Sequence, residues 1–504
     1  MNKTRSLLLN PWTDSRLSTA VRNTLYVLVA GIGGWQLGRA VASPSAETVA
    51  SLILMGVSIL IILKRPLEGL LLALALYPFS TFIYLNLNLG ASVPDVSLMR
   101  AGVAITFALI LARGATTWRP LVRPSGIELA MLLAAMGLGL SALRGASLTL
   151  NLQFVFDMYL TPYMVFFIAK NLTTDRSKLE RVLWAIALIG AYSAIYGIYT
   201  QTTGHVLFVG ETESSQAKLY TDSLRIMRGL LGSPHVFGLV FSLAIPVDFY
   251  LLIKARTSNK KVLWAAVLAV TFVGLFFTYK RTAWIATVGS LLVIQFFFPR
   301  FRRLFLALII VVAGMLLLYS DEINDSAVVN ERVNEKADTL NGRTDLWDAA
   351  WKAWEREPVV GYGIGQYQAR SRFQLVESHY LAILVSAGLV GFIPFALVFG
   401  LIAYASIKIY RARTAALFVE PDLVAAFWGC CIAYLISLST VVMNHELPHA
   451  LFFLLAGAAV GSQEAILNSF KQTSSRAVSV GAAMQSGDTA SIKPAPRKAL
   501  RAKP

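Results

Sequence analysis

Basic side chains collect where apolar runs begin or end, namely Arg225 and Arg228, Lys280 and Arg281, and His379, with Arg343 in the long connection between two runs. Guanidinium and ammonium groups placed this way serve one general chemistry, the holding of an anion, because arginine stays protonated and grips phosphate through two hydrogen bonds. Taken singly, each is an ordinary helix-end residue whose cationic tip snorkels toward headgroups. Lys280-Arg281 is different. It fills a tight connection between two apolar runs on the side that should be poor in positive charge, and a bound anion explains its presence there. A second chemistry is spelled by His445, Glu446, Leu447, Pro448 and His449. This is the HExxH pattern, in which two histidines on one helical face bind zinc beside a glutamate base. Pro448 falls between the two ligands, where it removes a backbone donor unless the helix starts there. The remaining chain offers only Glu464 and Asp488 as carboxylates, so the stretch reads as a turn before the last apolar run. Arg100 and Asp157 lie near the ends of two other runs, where buried charge is costly and normally paired, and they are expected to form an ion pair. Asp248, inside a run, is expected to make a helix-end or interhelical hydrogen bond. Cys430 and Cys431 are adjacent and leave no disulfide framework or thiolate metal site.

The elements that position these residues follow from composition. The 504 residues are 56% hydrophobic and only 14% charged, with a mean hydropathy of +0.61, which excludes a set of soluble domains. The apolar runs match a hydrocarbon core of about 30 Å at 1.5 Å per residue, and no alternating pattern suggests an outer-membrane barrel. Spans are placed at about 23–42, 48–63, 66–85, 97–112, 126–142, 154–170, 182–200, 231–253, 262–278, 283–299, 303–319, 380–407, 424–443 and 447–465. The fold class is therefore an all-α polytopic membrane protein with about 12–14 transmembrane helices. Its expected organisation is a cytoplasmic segment 1–22, a bundle over 23–319, a long loop 320–379 carrying short helices, last spans over 380–466, and a disordered basic tail 467–504. The opening segment lacks an apolar core with a small-residue cleavage site, so no removable signal is read there.

The net charge of +17 would suggest nucleic acid in a soluble protein. Here the cations sit in short clusters between apolar runs, which points to membrane orientation instead. About two thirds of the 45 basic residues fall on one side of the proposed spans, placing both termini in the cytoplasm and the connections 201–230 and 320–379 outside. In the long loop, Trp347, Trp351 and Trp354 recur at helical spacing and Pro358 would stop that helix, giving an amphipathic element for the outer membrane surface. Gly361, Gly363 and Gly365 lack the preceding strand and following Lys-Ser/Thr of a phosphate loop, and they read as a flexible turn. A transporter or flippase of a lipid-linked glycan is the rival class. It calls for broken helices in matched halves, and no repeat between halves is detectable.

Four stretches carry a resemblance: RIMRGLLGSPHVFG from Arg225, TYKRTAWIATVGSLL from Thr278, GRTDLWDAAWKAWEREPVVGYGIG from Gly342, and ESHYLAILVSAGLVGFIPF from Glu377. In this order and on this face they resemble the O-antigen ligase and O-antigen polymerase superfamily of integral membrane glycosyltransferases. The resemblance implies transfer of a glycan from undecaprenyl diphosphate to a sugar hydroxyl of lipid A core or a growing polysaccharide, exopolysaccharide included. That reaction would take place on the periplasmic side of the bacterial inner membrane. It further implies His379, Arg281 and Arg343 as catalytic residues, with Arg228, Arg225 and Lys280 binding substrate. No cofactor, metal or nucleic acid is expected, and displacement would invert the anomeric centre. The alternatives are the flippase and, through residues 445–449, an intramembrane zinc protease.

Overall fold

The computed structural model describes residues 46–79, 97–116, 121–145, 147–204, 230, 233–278, 280–298, 302–303, 344–367, 376–412, 416–442 and 445–471. The spans expected at 23–42 and 303–319 fall outside this set apart from Arg303, as do segment 1–22 and the tail beyond Lys471. Among the described residues there is no strand. In chain order the helices are α1 (Ala46–Lys64), α2 (Pro66–Leu76), α3 (Leu98–Thr116), α4 (Gly126–Leu143), α5 (Leu148–Leu172), α6 (Arg176–Thr203) and α7 (Pro234–Lys254), then α8 (Ser258–Phe277) and α9 (Arg281–Phe297). They continue with α10 (344–356), α11 (His379–Ala412), α12 (Pro421–Thr440) and α13 (Glu446–Lys471).

Their ends obey local chemistry. Ser125 caps α4 in a reciprocal box with Glu128, whose carboxylate accepts the Ser125 N–H at 2.8 Å. Asp175 caps α6, which ends on Gly204 at φ 73°. Pro66, Pro234 and Pro421 open α2, α7 and α12, where a missing N–H costs nothing. Among the described residues, eight helices, α4–α8 and α11–α13, are long and apolar enough to cross a bilayer, and α1, α2, α3 and α9 supply shorter apolar stretches. The molecule is thus an all-α polytopic membrane protein.

Several helices run past the limits that hydropathy suggested, α6 starting at Arg176 rather than 182 and α13 continuing to Lys471 rather than 465. A helix need not stop where the hydrocarbon does, since polar residues can continue its backbone ladder in the interface. α7 and α13 lie inside the bundle. By contrast α4, α8 and α9 turn Leu132, Met136, Val262, Phe276, Ile285 and Phe296 outward, an apolar perimeter suited to lipid. Close approach uses small residues: a Cβ on Gly190 would lie 2.6 Å from that of Ala244, drawing α6 against α7.

The bundle has two chemically different ends. At one, Arg176 meets Glu420 at 2.7 Å and Lys254 meets Asp422 at 2.6 Å, with Lys254 also paired to Glu420, so the start of α6, the end of α7 and the start of α12 are tied together. Burial pushes the Glu420 carboxyl up, but the hydrogen bond from Lys254 and the charges of Lys254 and Arg176 outweigh it and hold the group below its usual range. Buried Lys170 pairs with Glu128 at the same end and donates to the Arg123 carbonyl at 3.0 Å. At the other end, the start of α7 packs on the start of α9, where a Cβ on Gly238 would lie 2.5 Å from that of Ala283. The Tyr380 hydroxyl there donates to the Leu435 carbonyl at 3.0 Å, joining the start of α11 to the last part of α12.

α11 is broken at Gly388, whose φ of 57° and ψ of −157° lie outside the helix. The freed groups are taken up by the preceding loop. Tyr362 N–H donates to Val385 O at 2.8 Å, Gly363 N–H to Ser386 O at 2.9 Å, and Leu389 and Val390 N–H to Pro358 O and Val359 O at 2.9 and 3.1 Å. The expected flexible turn at Gly361, Gly363 and Gly365 is therefore pinned. It needs glycine because all three have positive φ and because a Cβ on Gly361 would sit 2.6 Å from the Ser386 carbonyl carbon. Arg144, at the end of α4, donates to the Gly361 carbonyl at 2.6 Å. The tryptophan helix is present as α10 and gives way to a turn at 358–360, with the Trp354 indole N–H donating to the Pro358 carbonyl at 3.2 Å.

Candidate functional site

His379 is the first residue of α11 and is 1% exposed. Its Nε2 lies 3.3 Å from the hydroxyl of Tyr159 on α5, and the two rings stack with centroids 6.0 Å apart. Its Nδ1 has no hydrogen-bond partner among the described residues. The His449 ring of α13 stands 5.6 Å away, centroid to centroid, and its Nδ1 is hydrogen-bonded to the Tyr434 hydroxyl of α12. The backbone just before His379 is unusual too, with Glu377 at φ 48°, a region L residues rarely adopt outside constrained sites.

Tyr159 reaches this position through a π-turn at Phe156–Leu160 inside α5. Such a turn widens the helix by one residue and commonly marks functional positions. Within it, Asp157 and Tyr159 are both buried, at 5% and 4% exposure. Asp157 receives the Arg100 guanidinium at 2.6 Å, as the sequence led us to expect, and Arg100 also lies 3.3 Å from Glu446. Gln153, with its amide oxygen turned to the guanidinium, accepts at 3.2 Å. Two carboxylates thus share one cation beside the buried imidazole, on the same two helices that present Tyr159 and His449.

Lys280 and Arg281 begin α9 at the same end of the bundle. The turn before them is braced by the Lys280 N–H to the Thr278 hydroxyl at 3.3 Å and by the Trp284 indole N–H to the Leu275 carbonyl at 3.1 Å. Arg281 is exposed and stands at the positive pole of the helix dipole, so this corner attracts anions on two counts. Arg343, Arg228 and Arg225 lie outside the described residues. The structure therefore places His379, Arg281 and Lys280 at one end, with His379 sunk in the bundle and Arg281 at its surface.

The HExxH residues are not a helical pair of ligands. His445 is extended, at φ −131° and ψ 130°, and precedes the helix that Glu446 begins, so Pro448 sits in the first turn where proline is tolerated. Burial pushes the His445 imidazole below its ordinary range. Asp248 is fully buried on α7 and accepts from the Thr271 hydroxyl of α8 at 3.1 Å, the expected interhelical bond. Sequence reasoning left Tyr159, His449 and Tyr434 unassigned. The only local signals were polar side chains near the ends of apolar runs, and a motif that suggested zinc instead.

A buried imidazole with one open nitrogen has the chemistry to accept a proton, and the cationic start of α9 at the same end of the bundle has the chemistry to hold an anion. Residues 264–396 match the family described as O-Antigen ligase, which supports the O-antigen ligase and polymerase superfamily. The match encloses Lys280, Arg281, Arg343 and His379 and leaves Arg225 and Arg228 outside. No curated protein matches the chain.

Proposed function

We propose that the protein is a glycosyltransferase of the O-antigen ligase type that moves a glycan from undecaprenyl diphosphate to an acceptor sugar hydroxyl at the periplasmic face of the inner membrane, with inversion and without a metal ion. One observation carries the reading: the family-matched segment holds Arg281 and His379, and both begin helices at the same end of the bundle. In the reaction the acceptor oxygen bonds to the anomeric carbon as the bond from that carbon to the diphosphate oxygen breaks. The electron pair stays on the diphosphate and the acceptor's proton passes to His379. Arg281 and Arg343 neutralise the charge growing on the leaving oxygens, while Lys280, Arg228 and Arg225 gather the headgroup.

The flippase reading draws some support from the break in α11. However, the backbone groups freed at Gly388 are bound by residues 358–363 rather than held open for cargo.

With purified protein, lipid-linked donor and acceptor, His379→Ala lowers transfer by on the order of 10²–10⁴, and Arg281→Ala abolishes it, with both variants still inserted. Wild-type rates in either variant would remove that residue from the scheme. A deletion strain distinguishes the two acceptors: complete chains held on the lipid mark a missing ligase, and single repeat units a missing polymerase.

A further inference from the structure

A neutral imidazole carries one N–H, and a base must present its lone pair to the incoming proton, so whichever group binds one ring nitrogen decides whether the other can act. His379 has one nitrogen, Nε2, beside a protein hydroxyl at 3.3 Å, and the other, Nδ1, without a partner among the described residues. That hydroxyl belongs to Tyr159, whose place is set by the π-turn Phe156–Leu160 and by edge contacts of its ring with Phe154 and Phe395, at 6.3 and 6.2 Å between centroids.

We infer that Tyr159 is a positioning residue for glycosyl transfer: its oxygen accepts the His379 Nε2–H, which keeps the lone pair on Nδ1 and presents that nitrogen to the acceptor hydroxyl. The inference rests on the proposed role of His379 as base. In the opposite arrangement the tyrosine would donate to Nε2 and the ring proton would sit on Nδ1. The ring would then have no free lone pair.

The surroundings suit the same assignment. Among the described residues the titratable groups facing His379 are Tyr159 from α5 and His449 from α13, while Phe395 of its own helix is apolar. Tyr434 of α12 binds His449 Nδ1, and Tyr380 turns away to the Leu435 carbonyl. On α5 and α13 the neighbouring charges are Asp157 and Glu446, which share Arg100. Two carboxylates and one guanidinium are thereby held on the helices that present Tyr159 and His449.

The test uses the full-length protein in proteoliposomes with lipid-linked donor and acceptor, and compares wild type, His379→Ala, Tyr159→Phe and a variant carrying 2,3-difluorotyrosine at position 159. Phenylalanine keeps the ring packing and removes the acceptor oxygen. Difluorotyrosine keeps both but weakens the oxygen as an acceptor. We expect Tyr159→Phe to lower kcat by on the order of 10–100-fold with KM for donor unchanged, and to displace the acid limb of the pH–rate profile. Difluorotyrosine should give a smaller loss and a shift in the same direction. An unchanged kcat in Tyr159→Phe overturns the inference. So does a lower kcat with an unmoved pH profile, which is the mark of a merely structural tyrosine. Should Tyr159→Phe fail to insert, an unmoved profile in the difluorotyrosine protein has the same force. If His379→Ala transfers like wild type, the base reading falls and this inference with it. If His379→Ala is dead while Tyr159→Phe is normal, only this inference falls.

Discussion

Arg100 stands between Asp157 and Glu446 with its side chain 16% exposed and theirs 7% and 5%, so removing the guanidinium leaves two carboxylates in a poorly solvated pocket without a counter-charge. Breaking a buried pair in this way costs about 3–5 kcal/mol, whereas neutralising one acid of the two leaves the cation still paired. We expect Arg100→Gln to lower the Tm of the detergent-solubilised protein far more than Asp157→Asn or Glu446→Gln. The double variant Arg100→Gln/Asp157→Asn should recover part of the loss, because it removes one stranded charge. Equal, small shifts in all three single variants would show that the carboxylates are neutralised by other groups. Half of this cluster was legible in the sequence. An Arg and an Asp near the ends of apolar runs had to find each other, since isolated charge there is so costly. Glu446 was not legible as their partner, because it is 346 positions from Arg100 and sits inside a motif whose local pattern spells zinc. Nor was Tyr159, since nothing in FDMYL announces the π-turn that carries it toward His379.

Helices were read from the length of apolar runs, and the described spans fall close to those runs because a backbone in hydrocarbon must satisfy its own hydrogen bonds. The same reasoning hid the break in α11. The stretch from Tyr380 to Ala405 is almost wholly apolar, and a glycine within such a run usually means close packing rather than a discontinuity. What breaks the helix is a competitor for its backbone groups. Residues 358–363 bring two carbonyls and two N–H groups to Val385, Ser386, Leu389 and Val390, while the Ser141 hydroxyl takes the Ser386 carbonyl at 2.6 Å. Because α10 ends where this loop begins, the loop links the tryptophan helix mechanically to the half-helix that starts with His379. A Cβ on Gly388 would lie 2.4 Å from the Val359 carbonyl oxygen, at a φ that alanine resists, so Gly388→Ala combines a clash with backbone strain of about 1–3 kcal/mol. We expect Gly388→Ala and Gly361→Ala to lower Tm and to expose residues 358–367 to limited proteolysis. Gly400→Ala, further along α11 with nothing within 4 Å of its would-be Cβ, should leave both unchanged or raise Tm slightly. Similar cleavage in all three would show that the loop does not depend on the junction.

At the scale of the whole molecule, the fold class followed from composition, but the sidedness of the bundle rests on how charge is shared between its ends. Lys64, Lys170, Arg176, Lys254 and Lys408 all gather at the end opposite His379, several of them fixed by Glu128, Glu420 and Asp422. Lysine and arginine resist translocation, so the proposed function predicts that the end they crowd is cytoplasmic and that the His379 end faces the compartment where a lipid-linked glycan would be presented. The Lys280-Arg281 corner is the exception to this bias, and the proposed headgroup contact gives it a reason to be there. A labelling experiment decides the orientation without assuming any activity. In a background lacking Cys430 and Cys431, single cysteines replace the exposed Asp345 on α10, tied through its loop to the His379 end, and the exposed Asn259 and half-buried Lys178 at the opposite end. A membrane-impermeant maleimide added to intact spheroplasts should modify Asp345→Cys at once, and should modify Asn259→Cys and Lys178→Cys only after permeabilisation. The reverse pattern would place His379 on the cytoplasmic side, out of reach of a donor displayed on the outer leaflet, and the proposed transfer could not occur at that imidazole whatever the family match.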